Sequence, residues 1–218
     1  MRMMTPAADT LTLENVAIRL DGRTLIDISA SVAPGEVLTV MGPSGSGKST
    51  LLHALAGSLA PVFELSGSVH LGDADVLALP AETRRMGLLF QDPLLFPHLS
   101  VCGNVMIAIP RAVSKVRGER QDLAEGALTA IGLEGYGPRD PATLSGGQAA
   151  RVALQRTLLS GPRALLLDEP FSKLDAALRQ EMRTLVFDHA RARNLPVILV
   201  THDPADAEAA SGEVFVLK

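Results

Sequence analysis

The residue types best suited to chemistry lie in one glycine-rich stretch near the start of the chain. It fits the pattern G-x-x-x-x-G-K-[ST], with the residues Gly42, Pro43, Ser44, Gly45, Ser46, Gly47, Lys48, Ser49 and Thr50. Glycines let the backbone turn so that successive N–H groups face inward and bind phosphate oxygens, and a following helix adds its positive dipole end. We expect Lys48 to reach the β- and γ-phosphates of a nucleoside triphosphate and the Ser49 hydroxyl to ligate Mg²⁺.

An acidic pair ends an apolar run much further along the chain. Leu165, Leu166 and Leu167 precede Asp168 and Glu169. Beside a phosphate cradle, we expect Asp168 to hold Mg²⁺ and Glu169 to orient the attacking water or accept its proton. A strand followed by an acidic turn is common by itself, so this prediction depends on the glycine-rich stretch upstream.

A third pattern has the residues Ser145, Gly146, Gly147 and Gln148. Ser145 is predicted to be the N-cap of a helix, which is an ordinary structural role. Two consecutive glycines with exposed N–H groups at a helix start also form an anion site. Both interpretations are compatible with the residues alone.

The elements that must position these residues alternate between strands and helices. Apolar residues alternate over 11–20, and an apolar stretch follows over 25–28 after Asp21-Gly22, which predicts an antiparallel hairpin. Further strands are predicted over 36–41, 67–72 (at a sheet edge), 86–90, 164–168, 196–201 and 214–217, and helices over 51–56, 176–193 and 204–210. This alternation predicts a mainly parallel sheet with nucleotide at the carboxyl ends of its strands.

Prolines punctuate helical stretches between Gln91 and Ser160, and we predict a helical insertion there, with helices over 115–131 and 146–159. We therefore expect one domain over 1–218. It would consist of a tail (1–10), a core and β subdomain (11–90 and 161–218) and a helical subdomain (91–160).

Composition excludes several classes of protein. The chain has 218 residues, of which 47% are hydrophobic and 20% charged, typical of a globular protein. Its net charge of −4 argues against nucleic acid as a partner. The one cysteine, Cys102, excludes a disulfide framework. No apolar run approaches the roughly 20 residues of a membrane span, so at a membrane a partner must supply the spanning part.

The order of these motifs resembles the nucleotide-binding subunit of ABC transporters. The glycine-rich stretch is followed by LSGGQ at 144–148, DEP at 168–170, SKLDA at 172–176 and THD at 201–203. The resemblance covers about 13–217 and implies an α/β fold of the P-loop NTPase type. Such a fold has a RecA-like, mainly parallel sheet, an antiparallel β subdomain and an inserted α-helical subdomain. It also implies ATP and Mg²⁺ as cofactors and ATP hydrolysis as the reaction.

The resemblance implies a role for each matched residue. Gln91 matches a glutamine that touches Mg²⁺ and water, and His202 a histidine that hydrogen-bonds the γ-phosphate, beside the catalytic Lys48 and Glu169. Leu174 and Asp175 match a contact between subunits. Ser145, Gly146, Gly147, Gln148 and Asp175 would act in trans, on ATP held by a second copy. Without this context, Gln91 at a strand end and His202 after a strand would be read as structural.

Partners follow from the same resemblance. We expect an ATP-sandwich homodimer that works with membrane permease subunits and, indirectly, with a solute-binding protein. The stretch 89–101 is similar to the segment by which bacterial importer ATPases of the thiamine, iron, polyamine and molybdate types receive the permease, the thiamine type above all. Exposed Leu94, Leu95 and Phe96 would favour such a partner, although they could instead pack inward. The expected location is the cytoplasmic face of the bacterial inner membrane.

Other classes of protein share some of these motifs, and the chain departs from the family pattern at two places. An exporter ATPase, or a soluble ABC ATPase acting on DNA or ribosomes, shares these motifs; the latter typically has two cassettes or a long coiled coil. A P-loop kinase or GTPase would lack LSGGQ. The family's adenine-stacking aromatic residue is replaced by Leu20, and Ala149 and Ala150 follow the signature where longer polar side chains are usual.

Overall fold

The computed structural model describes residues 9–43 and 45–217, which form two compact units. The first unit comprises the described residues of 1–88, 163–169 and 183–218, and the second comprises 89–162 and 170–182. The stretch 91–160, predicted as a helical insertion, falls in the second unit. The predicted site residue Ser44 and the tail residues 1–8 lie outside the described residues.

The described elements follow the predicted order. The strands are β1 (Leu11–Leu20), β2 (Arg23–Val32), β3 (Val37–Met41), β4 (Phe63–Leu71), β5 (Ala74–Asp75), β6 (Met86–Leu89), β7 (Ala164–Asp168), β8 (Val197–Thr201) and β9 (Glu213–Val216). The helices are α1 (Lys48–Ala56), α2 (Val101–Met106), α3 (Arg117–Ala130), α4 (Gly146–Leu159), α5 (Ala176–Ala192) and α6 (Pro204–Ala210). The sequence does not predict β5 or α2, both of which are short.

Among the described residues of the first unit, four strands form an antiparallel sheet in the order β2-β1-β4-β5. The predicted hairpin is confirmed: Asp21 and Gly22 connect β1 to β2 with φ angles of 49° and 74°, as a type I′ turn requires. The strand predicted over 67–72 is confirmed as part of β4, and its expected place at a sheet edge is wrong only at His70 and Leu71, which pair with β5. The strand begins at Phe63, and a turn at Gly72 and Asp73 leads from its end into the two-residue strand β5.

The other sheet of the first unit has the order β6-β7-β8-β3-β9, with parallel pairing of β7 to β8 and of β3 to β8 and β9. Its central strands read as continuous apolar runs because both faces are covered; all of β8 is buried. Leu51, Leu166 and Ile198 share one core with the buried residues of the antiparallel sheet. The carboxyl ends of β3, β7 and β8 therefore meet at one rigid edge.

The second unit has its own core. Val101, Val105, Leu128 and Val152, from α2, α3 and α4, are completely buried. Cys102 is buried among these helices as expected, and burial together with the neighbouring Glu125 raises the pKa of its thiol to about 11. None of the described helices is long and apolar enough to cross a membrane.

Asp9 and Thr10, which we assigned to the tail, are held by the first unit. The carboxylate of Asp9 accepts a hydrogen bond from Nε of Arg163 at 2.6 Å, and the carbonyl of Thr10 accepts one from the N–H of Gly72 at 2.9 Å. Asp9 thus supplies the counter-charge for Arg163, whose side chain is only 26% exposed.

Candidate active site

The glycine-rich loop connects the end of β3 to the start of α1. Gly45 and Gly47 adopt φ angles of 82° and 93°, in the left-handed region that other residues rarely enter. This backbone conformation curls the loop in front of the first turn of α1. That turn contains no acidic residue, so the positive end of the helix dipole stays available to an anion.

Lys48 lies across the loop. Its side chain is buried, with 6% exposure, and its Nζ donates hydrogen bonds of 2.8 Å to the carbonyls of both Gly42 and Pro43. The ammonium group is therefore held beside the loop by two neutral carbonyl acceptors. A phosphate oxygen, being charged, would be a stronger acceptor at the same place.

Two observations indicate that this loop fits a phosphate group. The Ser46 hydroxyl is buried and makes no hydrogen bond to any described residue. A buried polar atom without a partner is costly, and a ligand oxygen at the loop would remove that cost. A Cβ added to Gly45 would meet nothing within 4 Å, so the space beside this residue of the loop is open. Both features suit an anion that approaches the backbone closely.

Ser49 and Asp168 bring two oxygen ligands together beside the loop. The Ser49 hydroxyl donates a hydrogen bond of 2.9 Å to Oδ1 of Asp168, which stands at the end of β7. Burial raises the pKa of Asp168, the Ser49 hydrogen bond opposes this, and the charge of Glu169 adds to it. No cluster of three His, Cys, Asp or Glu side chains that could hold a metal occurs among the described residues. Mg²⁺ commonly takes one or two protein oxygens and completes its shell with phosphates and water, so these two residues fit it.

Glu169 and His202 form a second pair, at the ends of β7 and β8. Nδ1 of His202 lies 3.1 Å from Oε1 of Glu169, with 58% of the histidine side chain and 22% of the glutamate side chain exposed. Glu169 has a φ of 44°, an unfavourable backbone conformation for a residue with a Cβ, and such strain is often found at functional sites. Pairing through Nδ1 turns Nε2 of the imidazole away from the carboxylate, toward solvent and any ligand.

In the second unit, the predicted N-cap Ser145 is confirmed. Its hydroxyl accepts the N–H of Gln148 at 3.3 Å, and the Gln148 side-chain oxygen accepts the N–H of Ser145 at 3.0 Å. This reciprocal capping box fixes the first turn of α4. Gln148 also donates to the Tyr136 hydroxyl at 3.3 Å. The first turn of α4 contains no acidic residue, and Ser145 and Gly146 are exposed.

The two glycines of this motif do not have the same surroundings. We expected exposed N–H groups on both, but Gly147 is buried, which corrects that expectation for one of them. A Cβ at Gly147 would lie 2.2 Å from Cδ2 of Leu178, whereas one at Gly146 would meet nothing within 4 Å. Gly147 is thus required by the close packing of α5 on α4, and Gly146 is the one that faces outward.

Gln91 and Asp175 each have a structural partner in the second unit. Gln91 lies two residues beyond the end of β6 and its amide donates to the Ser172 hydroxyl at 2.9 Å. Asp175 is exposed and accepts the N–H of Leu178 at 3.0 Å, which makes it the N-cap of α5. Their roles toward metal and toward a second subunit remain predictions.

An apolar segment after Gln91 is displayed on the second unit. Leu94 and Phe96 are 56% and 41% exposed, whereas Leu95, which we expected to be exposed as well, is half-buried. Arg156 of α4 holds this segment, because its guanidinium donates to the carbonyls of Pro93 and Leu94 at 2.9 and 2.8 Å. Nothing in the sequence points to Arg156, since its hydrogen bonds span more than 60 positions.

One further residue that we did not single out is Phe63. It is the direct cross-strand partner of Leu20, and both are partly buried. Directly opposed residues of antiparallel strands project from the same face of the sheet. An aromatic ring is therefore present beside the position where β1 itself lacks one. The predicted strand of 67–72 was too short to reveal this pairing.

The structure brings together, in the first unit, Gly42, Pro43, Gly45, Ser46, Gly47, Lys48, Ser49 and Thr50 of the loop with Asp168, Glu169 and His202. In the second unit it places Gln91, Ser145, Gly146, Gly147, Gln148 and Asp175. The first set lies at the carboxyl ends of β3, β7 and β8. In the second set, Gln91 follows β6 and the other residues lie at the starts of α4 and α5.

Comparisons with known proteins find relatives that match most of the chain. A family model described as ABC transporter matches residues 25–172. The uncharacterised ABC transporter ATP-binding protein YnjD of Escherichia coli is 47% identical, and the match covers 92% of each chain. The thiamine import ATP-binding protein ThiQ of a Jannaschia species is 44% identical, over 95% of this chain and 88% of that protein.

A longer relative is also similar. The Fe(3+) ions import ATP-binding protein FbpC of Rhizobium etli is 41% identical over 99% of this chain and 60% of that protein. The chain therefore spans about three fifths of FbpC.

Proposed function

The chain belongs to the ABC transporter family, whose ATP-binding proteins are ATPases, and from this premise we propose that it is the ATP-hydrolysing subunit of a bacterial importer. The observation that carries the proposal is the convergence of Lys48, the Ser49–Asp168 pair and the Glu169–His202 pair at one end of the parallel sheet. Each group is of the type that phosphoryl transfer to water requires.

Each of these residues has a proposed role in ATP binding or hydrolysis. Lys48 and the loop N–H groups bind the β- and γ-phosphates, and Ser46 gains a partner for its hydroxyl. Ser49 and Asp168 would hold Mg²⁺, which neutralises charge on the phosphates when it is bound. Glu169 orients the attacking water and accepts its proton, and Nε2 of His202 hydrogen-bonds the γ-phosphate.

Base recognition is proposed to use Leu20 and Phe63. The pair lies on the core-facing side of β1 and β4, as Ile18 and Leu65 do. On the neighbouring strand β2, Leu25 lies 3.3 Å from the position of a Cβ on Gly47 of the loop. Phe63 also packs against the core of the first unit, and an apolar surface that includes its aromatic ring suits a purine base.

The second unit is proposed to complete the site of another copy. Ser145 and Gly146 present an exposed helix start that lacks acidic residues, which suits the γ-phosphate of ATP bound by a partner. Two copies related by a two-fold axis would then enclose two ATP molecules. Because ATP contacts both copies, it shifts the equilibrium toward the closed pair, and hydrolysis releases it.

A membrane permease is the proposed receiver of this motion, with a solute-binding protein acting through it. Support comes from the exposed apolar side chains of Leu94 and Phe96 and from relatives named for import. These relatives are named for unlike solutes, thiamine and Fe(3+). We therefore propose only the ATP-hydrolysing role for this chain, and the permease and the solute-binding protein would select the solute. The proposed location is the cytoplasmic face of the inner membrane.

The substitution Glu169→Gln tests the proposed chemistry. It removes the proton acceptor but keeps the shape of the side chain, so ATP should still bind while hydrolysis falls by at least about 100-fold. The variant should then elute as a dimer in MgATP and as a smaller species in MgADP. Glu208→Gln, at an exposed carboxylate of α6, is the control and should keep wild-type turnover. Unimpaired turnover in Glu169→Gln would contradict the role of Glu169.

A further inference from the structure

A buried charge cluster lies behind His202. It consists of Arg183 on α5, Asp203 and Asp206 around the start of α6, and Thr201 at the end of β8; we call it the Arg183 cluster. Arg183, Asp206 and Thr201 are 8%, 3% and 2% exposed. Nε of Arg183 donates to Oδ1 of Asp206 at 2.7 Å, and Nη2 donates to that oxygen and to Oδ2 of Asp203, the latter at 3.2 Å.

The cluster holds the backbone on both sides of His202. The Thr201 hydroxyl donates to Oδ2 of Asp206 at 2.6 Å and accepts the N–H of Asp203 at 3.1 Å. Oδ1 of Asp203 accepts the N–H of Ala205 at 2.9 Å and so caps α6. Hydrogen bonds therefore connect Arg183 to Thr201 and Asp203, the two residues on either side of His202.

His202 itself depends on this support. Its side chain is 58% exposed, so packing restrains the ring little, while Nδ1 must stay within 3.1 Å of Glu169. The direction of the ring is then set largely by the backbone of 201–203. Removing Arg183 would take the counter-charge from the buried carboxylate of Asp206, and the segment would have to move to solvate that carboxylate.

We infer that Arg183 is a positioning residue for His202, acting through Asp206 and Thr201 to hold the imidazole against Glu169. This inference rests on the proposed ATP hydrolysis and adds residues to which sequence motifs assign no role. It differs from a purely structural role, because a fold-supporting arginine would affect stability without affecting turnover per folded molecule.

The experiment compares four variants of the full chain. Arg183→Met and Thr201→Val remove the hydrogen bonds, whereas Arg183→Lys and Thr201→Ser keep part of them. We expect kcat to fall about tenfold to 100-fold in the first two, as for a catalytic group displaced by about 1 Å, with ATP affinity within about twofold of wild type. The conservative variants should recover most of kcat. Thr201→Val keeps the shape of the side chain, so it remains informative if Arg183→Met does not fold.

A matched control is Arg163→Met. Arg163 also pairs with a carboxylate, that of Asp9, but it lies before β7 whereas Glu169 follows it. The Arg163→Met variant should be less stable than the wild type but should have the same kcat. If Arg163→Met lowers kcat as much as Arg183→Met does, the effect is general loosening and the inference is wrong.

The decisive measurement is a double-mutant cycle with His202→Ala. If Arg183 acts through His202, Thr201→Val or Arg183→Met should cause no further loss of kcat in the His202→Ala background. An equal loss in both backgrounds overturns the inference. Its failure is distinct from that of the proposed function, because the latter requires that the wild-type chain itself hydrolyse ATP and that Glu169→Gln does not.

Discussion

The two units build their functional surfaces in different ways. In the first, the site residues come from strands far apart in sequence, and the topology of the parallel sheet brings their ends to one edge. In the second, they lie at helix starts and on one surface segment: a capping box begins α4, an N-cap begins α5, and the segment 93–96 is held by Arg156 and by the buried Asn104, whose side-chain oxygen accepts the N–H of Phe96. Substitutions in the first unit should therefore affect ligand binding and chemistry directly. Those in the second should act through packing and through contacts with partners.

Among the substitutions that test this difference between the two units, Lys48→Ala is expected to have the largest effect. The substitution removes the buried ammonium group that we propose binds the phosphates, and ATP affinity should fall about 100-fold, or about 2.7 kcal/mol. Lys173→Ala is the matched control, because Lys173 is an exposed lysine of the second unit paired with Asp92. It should bind ATP like the wild type in calorimetry. Equal affinity in both variants would remove Lys48 from the site.

Next in size is Gly147→Ala in the second unit. The added methyl group would lie 2.2 Å from Leu178, so it should destabilise the protein by about 1–3 kcal/mol, as overpacking does. Gly146→Ala has open space around the new methyl group and should unfold near the wild-type temperature. Thermal unfolding followed by circular dichroism measures both. A Gly147→Ala protein as stable as Gly146→Ala would contradict the packing that we describe.

A smaller effect is expected at the base. Phe63→Ala should weaken ATP binding about two- to tenfold, the range of one aromatic stacking contact, and leave the affinity for inorganic triphosphate unchanged. Val62→Ala changes the neighbouring residue, which is 60% exposed, and serves as control. Equal losses for ATP and triphosphate would show that Phe63 supports the loop rather than the base.

The smallest effect concerns Cys102. Burial raises the pKa of its thiol to about 11, so the reactive thiolate is scarce at pH 8. The native protein should resist alkylation by iodoacetamide at that pH, and the unfolded protein should react. Mass spectrometry gives the extent of reaction. Cys102→Ser should leave ATP turnover unchanged, and rapid labelling of the native chain would contradict the burial of the thiol.

The sequence predicts the first unit well because its signals are backbone signals. Glycines at positive φ, apolar runs and an Asp-Gly turn each impose one conformation, and parallel strands then bring Lys48, Asp168 and His202 to the same edge. It fails where a position is decided by a distant side chain. The burial of Gly147 depends on Leu178, and the positions of Pro93 and Leu94 depend on Arg156. The pairing of Phe63 with Leu20 depends on a strand that is longer than its pattern predicts.

The central claim is that one copy supplies the cradle and another supplies the start of α4. Two inactive variants test it when they are mixed. Lys48→Ala breaks the cradle, and Gly146→Asp adds a negative charge where the γ-phosphate would lie, while an acidic residue in the first turn suits the helix.

The rate of ATP hydrolysis in an equimolar mixture is the direct measurement. Random pairing would make half of the dimers mixed, and each mixed dimer would have one intact site out of two. We therefore expect about a quarter of the wild-type rate per chain. A mixture no faster than its separate components would contradict the claim.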